Sequence, residues 1–104
     1  MKRVSFEVAK AIKDAGYPQE GGMYYNKDGD LILPWSFNNE DIFVVAPYYL
    51  DVWLWLWREK KIVIEVLHTY KRGWFTELMK DSNNDPEEAI EAAIEYLVTN
   101  KLIK

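Results

Sequence analysis

Two short strings, Asn26-Lys27-Asp28-Gly29 and Lys71-Arg72-Gly73, constrain the fold of this chain more than any other feature. The first lies between Met23-Tyr24-Tyr25 and Asp30-Leu31-Ile32-Leu33. The second lies between a β-branched run, Lys61 to Tyr70, and Trp74 to Lys80. A polar turn closed by a glycine at positive φ is the common three-residue hairpin connection. Both strings therefore predict antiparallel hairpins. Read outward from the second turn, the register sets His68 opposite Thr76. Ile62, Ile64 and Val66 then share one face, and Glu65 and Glu77 lie diagonally on the other. The segments around the two turns do not otherwise match, so they are not an internal repeat.

Helical periodicity brackets the hairpins. Ser5 has the chemistry of an N-cap for a helix from Phe6 to Ala15, with Phe6, Val8, Ala9, Ile12 and Ala15 as its apolar stripe. Gly16 suits the left-handed position after that helix, and Pro18 bars its continuation. Pro47 predicts the start of a second helix running to about Lys60. Asp85-Pro86-Glu87-Glu88 predicts a third, with an acidic N-cap, proline at N1 and Glu88 closing a capping box. Its stripe is Ile90, Ala93, Ile94 and Leu97, with Glu87, Glu91 and Glu95 facing water. Pro34 ends the second strand or marks an edge, Trp35 to Asp41 reads as a loop, and Ile42 to Val45 suits a further short strand. The expected fold is α+β: three helices packed on an antiparallel sheet built from two β-hairpins, in the order α-ββ-(β)-α-ββ-α.

At 104 residues and 49% hydrophobic, the chain suits one domain spanning 1–104 with a real core. The absence of cysteine removes disulfides, thiol nucleophiles and cysteine-ligated zinc, and is compatible with a reducing cytoplasmic location. A net charge of −4 disfavours nucleic acid, whose binding draws on clustered Lys and Arg. The apolar stretch from Ile42 to Trp57 is broken by Pro47 and Asp51 and falls short of the roughly 20 residues of a spanning helix. Met1-Lys2-Arg3 leads into Glu7, Lys10, Lys13 and Asp14 rather than a signal-peptide core. A soluble protein without membrane association is expected.

The strings VSFEVAKAIKDAGY (4–17), YYNKDGDL (24–31), WREKKIVIEV (57–66) and DPEEAIEAAIEYLV (85–98) resemble those of a family of small uncharacterised proteins. That family is found in Bacteroidetes-type gut bacteria, their phages and mobile elements. The resemblance covers most of the chain and rests on structural signals. It implies an α+β fold and a phage or mobile-element origin, and it carries over no functional residue. Two positions depart from the family pattern: Tyr48 replaces a threonine after the proline, and Trp55 replaces a residue that is often polar.

No string in the sequence carries a catalytic signature. His68 is the only histidine and reads as an ordinary strand residue, short of the partners that a triad or zinc site needs. Glu65 and Glu77 read as a solvated face rather than a carboxylate pair in a cleft. Asp28 and Asp30 flank Gly29, but the calcium-loop pattern fails at its twelfth position, Phe37. Asp81, Asp85, Glu87, Glu88, Glu91 and Glu95 form an acidic face that suits the helix N-terminus better than mimicry of nucleic acid. No metal, no organic cofactor and no catalysis are expected.

The aromatic content is the anomaly: five Trp, seven Tyr and four Phe make 15% of the chain, and the second helix carries a dense cluster. At about 100° per residue, Val52, Leu56, Tyr49, Trp53, Trp57, Leu50 and Leu54 fill an arc of about 200°. An ordinary surface helix needs about 100° to face its core. Trp55 falls off this arc among Asp51, Arg58 and Glu59, where it should be exposed. Tyr49, Trp53, Trp55 and Trp57 are therefore the candidate interface residues, with a homo-oligomer or another protein as the expected partner. The competing cover is the 35–45 loop folded over the helix. The functional expectation is a small interaction or structural module. The alternative is nucleic-acid handling, by aromatic stacking or acidic mimicry.

Overall fold

A computed structural model describes residues 2–20, 22–33, 43–79 and 82–104. The fold is α+β, in the order α1 (Phe6–Asp14), β1 (Tyr24–Tyr25), β2 (Leu31–Ile32), β3 (Val44–Val45), α2 (Tyr49–Glu59), β4 (Val66–Thr69), β5 (Gly73–Thr76) and α3 (Pro86–Thr99). The chain folds as two compact units, residues 2–48 and 49–104. Among the described residues no helix is long and apolar enough to cross a membrane.

In the unit 2–48, α1 starts where Ser5 Oγ accepts the Val8 amide at 3.2 Å. It stops at Gly16, whose φ of +100° lets Gly16 donate to the Lys13 carbonyl and Tyr17 to the Ile12 carbonyl. The predicted first hairpin forms, pairing Tyr24 with Ile32 and Tyr25 with Leu31. Asn26 Oδ1 accepts the Asp28 and Asp30 amides, each at 2.9 Å, and Gly29 takes a φ of +84°. Gly29 is needed twice over, because a Cβ there would lie 2.9 Å from the Phe6 ring. The segment 42–45 supplies β3 at Val44–Val45, which pairs with the second edge of β1. Residues 34–42, with the expectations for Pro34, Ile42 and most of the 35–45 loop, lie outside the described residues. Val4, Val8, Ala9, Ile12, Ile32 and Val44 are buried in this unit.

In the unit 49–104, α3 packs against α2, β4 and β5. Asp85 caps α3 by accepting the Glu88 amide at 2.8 Å, and Pro86 follows at N1. Glu88 reaches back as the capping box requires, though it accepts the Asn84 amide at 2.9 Å, one residue before the cap. The stripe Ile90, Ala93, Ile94 and Leu97 is buried as predicted, joined by Ala89. Glu95 differs from expectation: it is half-buried and accepts a hydrogen bond from the Tyr49 hydroxyl. The helix ends in the same glycine-type geometry as α1, yet the residue at φ +54° is Lys101.

Three expectations need correction. The hairpins do not build one sheet: a three-stranded sheet has the order β2-β1-β3, and β4-β5 stands as a second sheet. β1 is central, paired on both edges, and the outer edge of β5 is bridged by Asn83, so neither of these strands can join the two sheets. The second hairpin is also two residues out of the predicted register. Gly73, at φ +74°, pairs with Thr69 as the first residue of β5, so the loop is Tyr70-Lys71-Arg72 and His68 faces Trp74. A shift of two preserves which residues share a face. Finally, the ladder is shorter than the runs that predicted it. Residues 61–65 have no strand partner among the described residues, and beyond Thr76 the chain turns back through reciprocal Thr76–Met79 bonds.

Opposite effects are expected at the two ends of α3. Asp85→Ala should destabilise by about 1 kcal/mol through loss of the cap. Lys101→Gly should stabilise by about 0.5–1 kcal/mol, because a side chain in the left-handed region is disfavoured. Denaturant melts of the two variants check both signs.

A pH effect is expected in the other unit. The Tyr25 hydroxyl donates to the Val4 carbonyl at 2.7 Å. Burial raises its pKa above the ordinary 10.0, against a smaller lowering by Arg3. Its contribution to stability is therefore complete below pH 10 and is lost as pH rises through the raised value. In melts from about pH 8 to 11, Tyr25→Phe should show a smaller alkaline decline than wild type.

Candidate functional site

The site is built from the end of α2 and the chain that follows it. Asp51 lies in the first turn of α2 and Arg58 in the last, the arrangement the helix dipole favours. The helix stops at Lys61, which takes a φ of +56°. The Lys60 and Ile62 amides both donate to the Leu56 carbonyl, and Lys61 Nζ donates to the Arg58 carbonyl at 2.9 Å. Beyond this stop the chain returns beside its own helix. Trp53 Nε1, on α2, donates to the Ile64 carbonyl at 3.0 Å and fixes the returning segment. Ile64 is buried, while Val63 and Glu65 on either side are exposed, the alternation of an extended chain with one face covered.

Between α2 and this segment lies a groove of about 640 Å³. Trp53, Leu54 and Trp57 form one wall and residues 63–67 the other, and Glu65 is the one charged residue among them. A second depression of about 280 Å³ shares Trp57 and Val63 and adds Arg58 and Lys61. Apolar surface thus continues past an exposed Trp57 (55%) and Val63 (61%), with Arg58 and Lys61 lining the second depression and Glu65 in the wall of the first.

The four sequence candidates separate. Trp53 is half-buried in the groove wall, and Trp57 stands at the lip. Tyr49 is buried and bonded to Glu95. Trp55, expected to be exposed, is 9% exposed, with the Lys60 ammonium 5.5 Å from its ring centroid. Its position on the helix explains the correction. Trp55 lies about 60° from Val52, so the buried residues Trp55, Val52, Leu56 and Tyr49 span roughly 120°, an ordinary core face. The buried sector is rotated away from the other end of the arc, and Trp53, Trp57 and Leu54 are left to line the groove. Val63 and Leu67 were missed as site residues. The available signal was their place, with Glu65, on the outward parity of the 61–70 run.

The remaining sequence candidates are dispersed. His68 packs against Trp74 with ring centroids 4.6 Å apart and the planes tilted by 50°. Glu65 precedes β4 and Glu77 follows β5, both exposed, so neither is held in the ladder. In the acidic cluster, Asp85 and Glu88 cap α3, Glu95 binds Tyr49, and Asp81 lies outside the described residues. Among the described residues no three of His, Asp and Glu are grouped to hold a metal ion. No family model matches the chain, and neither does any curated protein or solved structure.

Trp53→Phe keeps an aromatic ring in the groove wall but leaves the Ile64 carbonyl without its donor. A loss of about 1 kcal/mol is expected in denaturant melts. Hydrogen exchange should also accelerate first in residues 62–67, where that bond anchors the backbone.

Proposed function

We propose that the protein is a non-catalytic interaction module that engages another polypeptide chain through the groove beside α2. The observation that supports this reading is the pairing of Trp57 and Val63, both more than half exposed, along one apolar trough. Tryptophan is enriched in interface hot spots, and a continuous apolar patch marks a contact site more often than isolated apolar residues do. The mixed charge of Glu65, Arg58 and Lys61 around the groove suits a polypeptide partner better than a polyphosphate. Much of the acidic face of α3 is engaged in capping and in the Tyr49 bond, which weakens the reading as a nucleic-acid mimic. A cytoplasmic setting and a phage or mobile-element origin accompany the proposal. They rest on the cysteine-free composition and on the strings quoted above.

A photoreactive amino acid placed at position 57 in cells should form polypeptide adducts. One placed at Tyr70, fully exposed in the β4–β5 loop, should not. Val63→Lys should abolish the adducts at 57. Equal yields at the two positions, or yields untouched by Val63→Lys, would remove the interaction reading.

A further inference from the structure

Residues 61–65 are held differently from the rest of the unit 49–104. Before them α2 is closed by helical bonds, and after them the ladder begins with Val66 opposite Thr76. Between these two fixed ends the backbone has no strand partner among the described residues. It is held to α2 instead. The Ile62 amide donates to the Leu56 carbonyl at 3.0 Å, and the Ile64 carbonyl accepts the Trp53 indole at 3.0 Å. Ile64 is the one side chain of the five that is buried; Val63 and Glu65 are exposed and add little to closure. The turn into the segment, Lys61, takes a φ of +56°, a left-handed conformation that disfavours any residue with a side chain. Such strain persists only while the contacts around it hold.

The segment is thus a strap with a strained hinge at one end and a hydrogen-bonded ladder at the other. Releasing the indole bond frees the Trp53 donor and the Ile64 carbonyl together, and both can then bond to water. It also lets Lys61 return to an ordinary backbone conformation, while α3 keeps its packing on α2, β4 and β5. A segment with few buried contacts opens before the core does. We infer that residues 62–65 open about Lys61 as a local unit, and that the groove is assembled only while this strap is closed. Opening withdraws Val63, Ile64 and Glu65 from the second wall and leaves 66–67 in the ladder. The depression that Val63 shares with Trp57 is lost with them. The bearing on binding rests on the interaction reading above: a polypeptide that touches both walls binds the closed form and holds the strap shut.

Native-state hydrogen exchange of the full chain reads the strap through the Ile62 amide, and α3 through the amide of Ile94, whose side chain is fully buried. After correction for intrinsic rates, Ile62 should exchange at least about tenfold faster than Ile94, with little response to low denaturant. Asp85→Ala weakens α3 at its cap, so it should accelerate Ile94 about fivefold and leave Ile62 unchanged. Lys61→Val should do the reverse. It should accelerate Ile62 about fivefold, because a β-branched residue is strongly disfavoured in the left-handed region. Circular dichroism checks that both variants are folded. Equal corrected rates at Ile62 and Ile94 in the wild type would overturn the inference. So would equal acceleration of the two amides by Asp85→Ala, or an Ile62 rate untouched by Lys61→Val. The adducts at position 57 succeed or fail separately. Local opening without adducts would remove the interaction reading alone, and adducts without local opening would remove the strap alone.

Discussion

The bond from the Trp53 indole to the Ile64 carbonyl organises the groove of the unit 49–104. Helix α2 ends through Lys61 in a left-handed conformation, which turns the backbone around but does not by itself hold the returning segment against the helix. The indole donor does that, and it uses a carbonyl that a neighbouring strand would otherwise occupy. With Ile64 buried and its carbonyl held, Val63 and Glu65 are presented outward. The groove is the space left between that segment and the Trp57 side of the helix. A tryptophan suits this position because it combines a large apolar body with one polar donor.

The unusual aromatic load of α2 follows from the same arrangement. One sector of the helix, Tyr49, Val52, Trp55 and Leu56, is buried. A second sector, Trp53, Leu54 and Trp57, lines the groove. A helix serving a core and a groove at once needs apolar residues around most of its circumference, beyond the single stripe of an ordinary surface helix. Asp51, Arg58 and Glu59 remain as the wetted side.

Edge protection varies across the two sheets. Side chains and isolated bridges cover β3 and β5, whereas β4 has no second strand partner among the described residues. Natural sheets commonly blunt such edges with charge.

By itself the sequence determined the local features. The caps at Ser5 and Asp85, the stop at Gly16, the Asn26–Gly29 turn and the buried stripe of α3 all depend on residues within a few positions of one another. Their energetics are therefore complete in the local chain. Tertiary structure decided what depends on a partner distant in sequence. The string Lys71-Arg72-Gly73 was compatible with two registers of the same parity, and pairing across the ladder placed His68 against Trp74. The β-branched run from Lys61 promised a long strand, but a strand extends only as far as a neighbour accepts its hydrogen bonds, and residues 61–65 find none among the described residues. The periodicity of α2 gave the width of its apolar arc but not which sector turns inward. That orientation buried Trp55, exposed Trp57 and set the groove where it is, because a helix with apolar residues nearly all round carries no local signal for its own rotation.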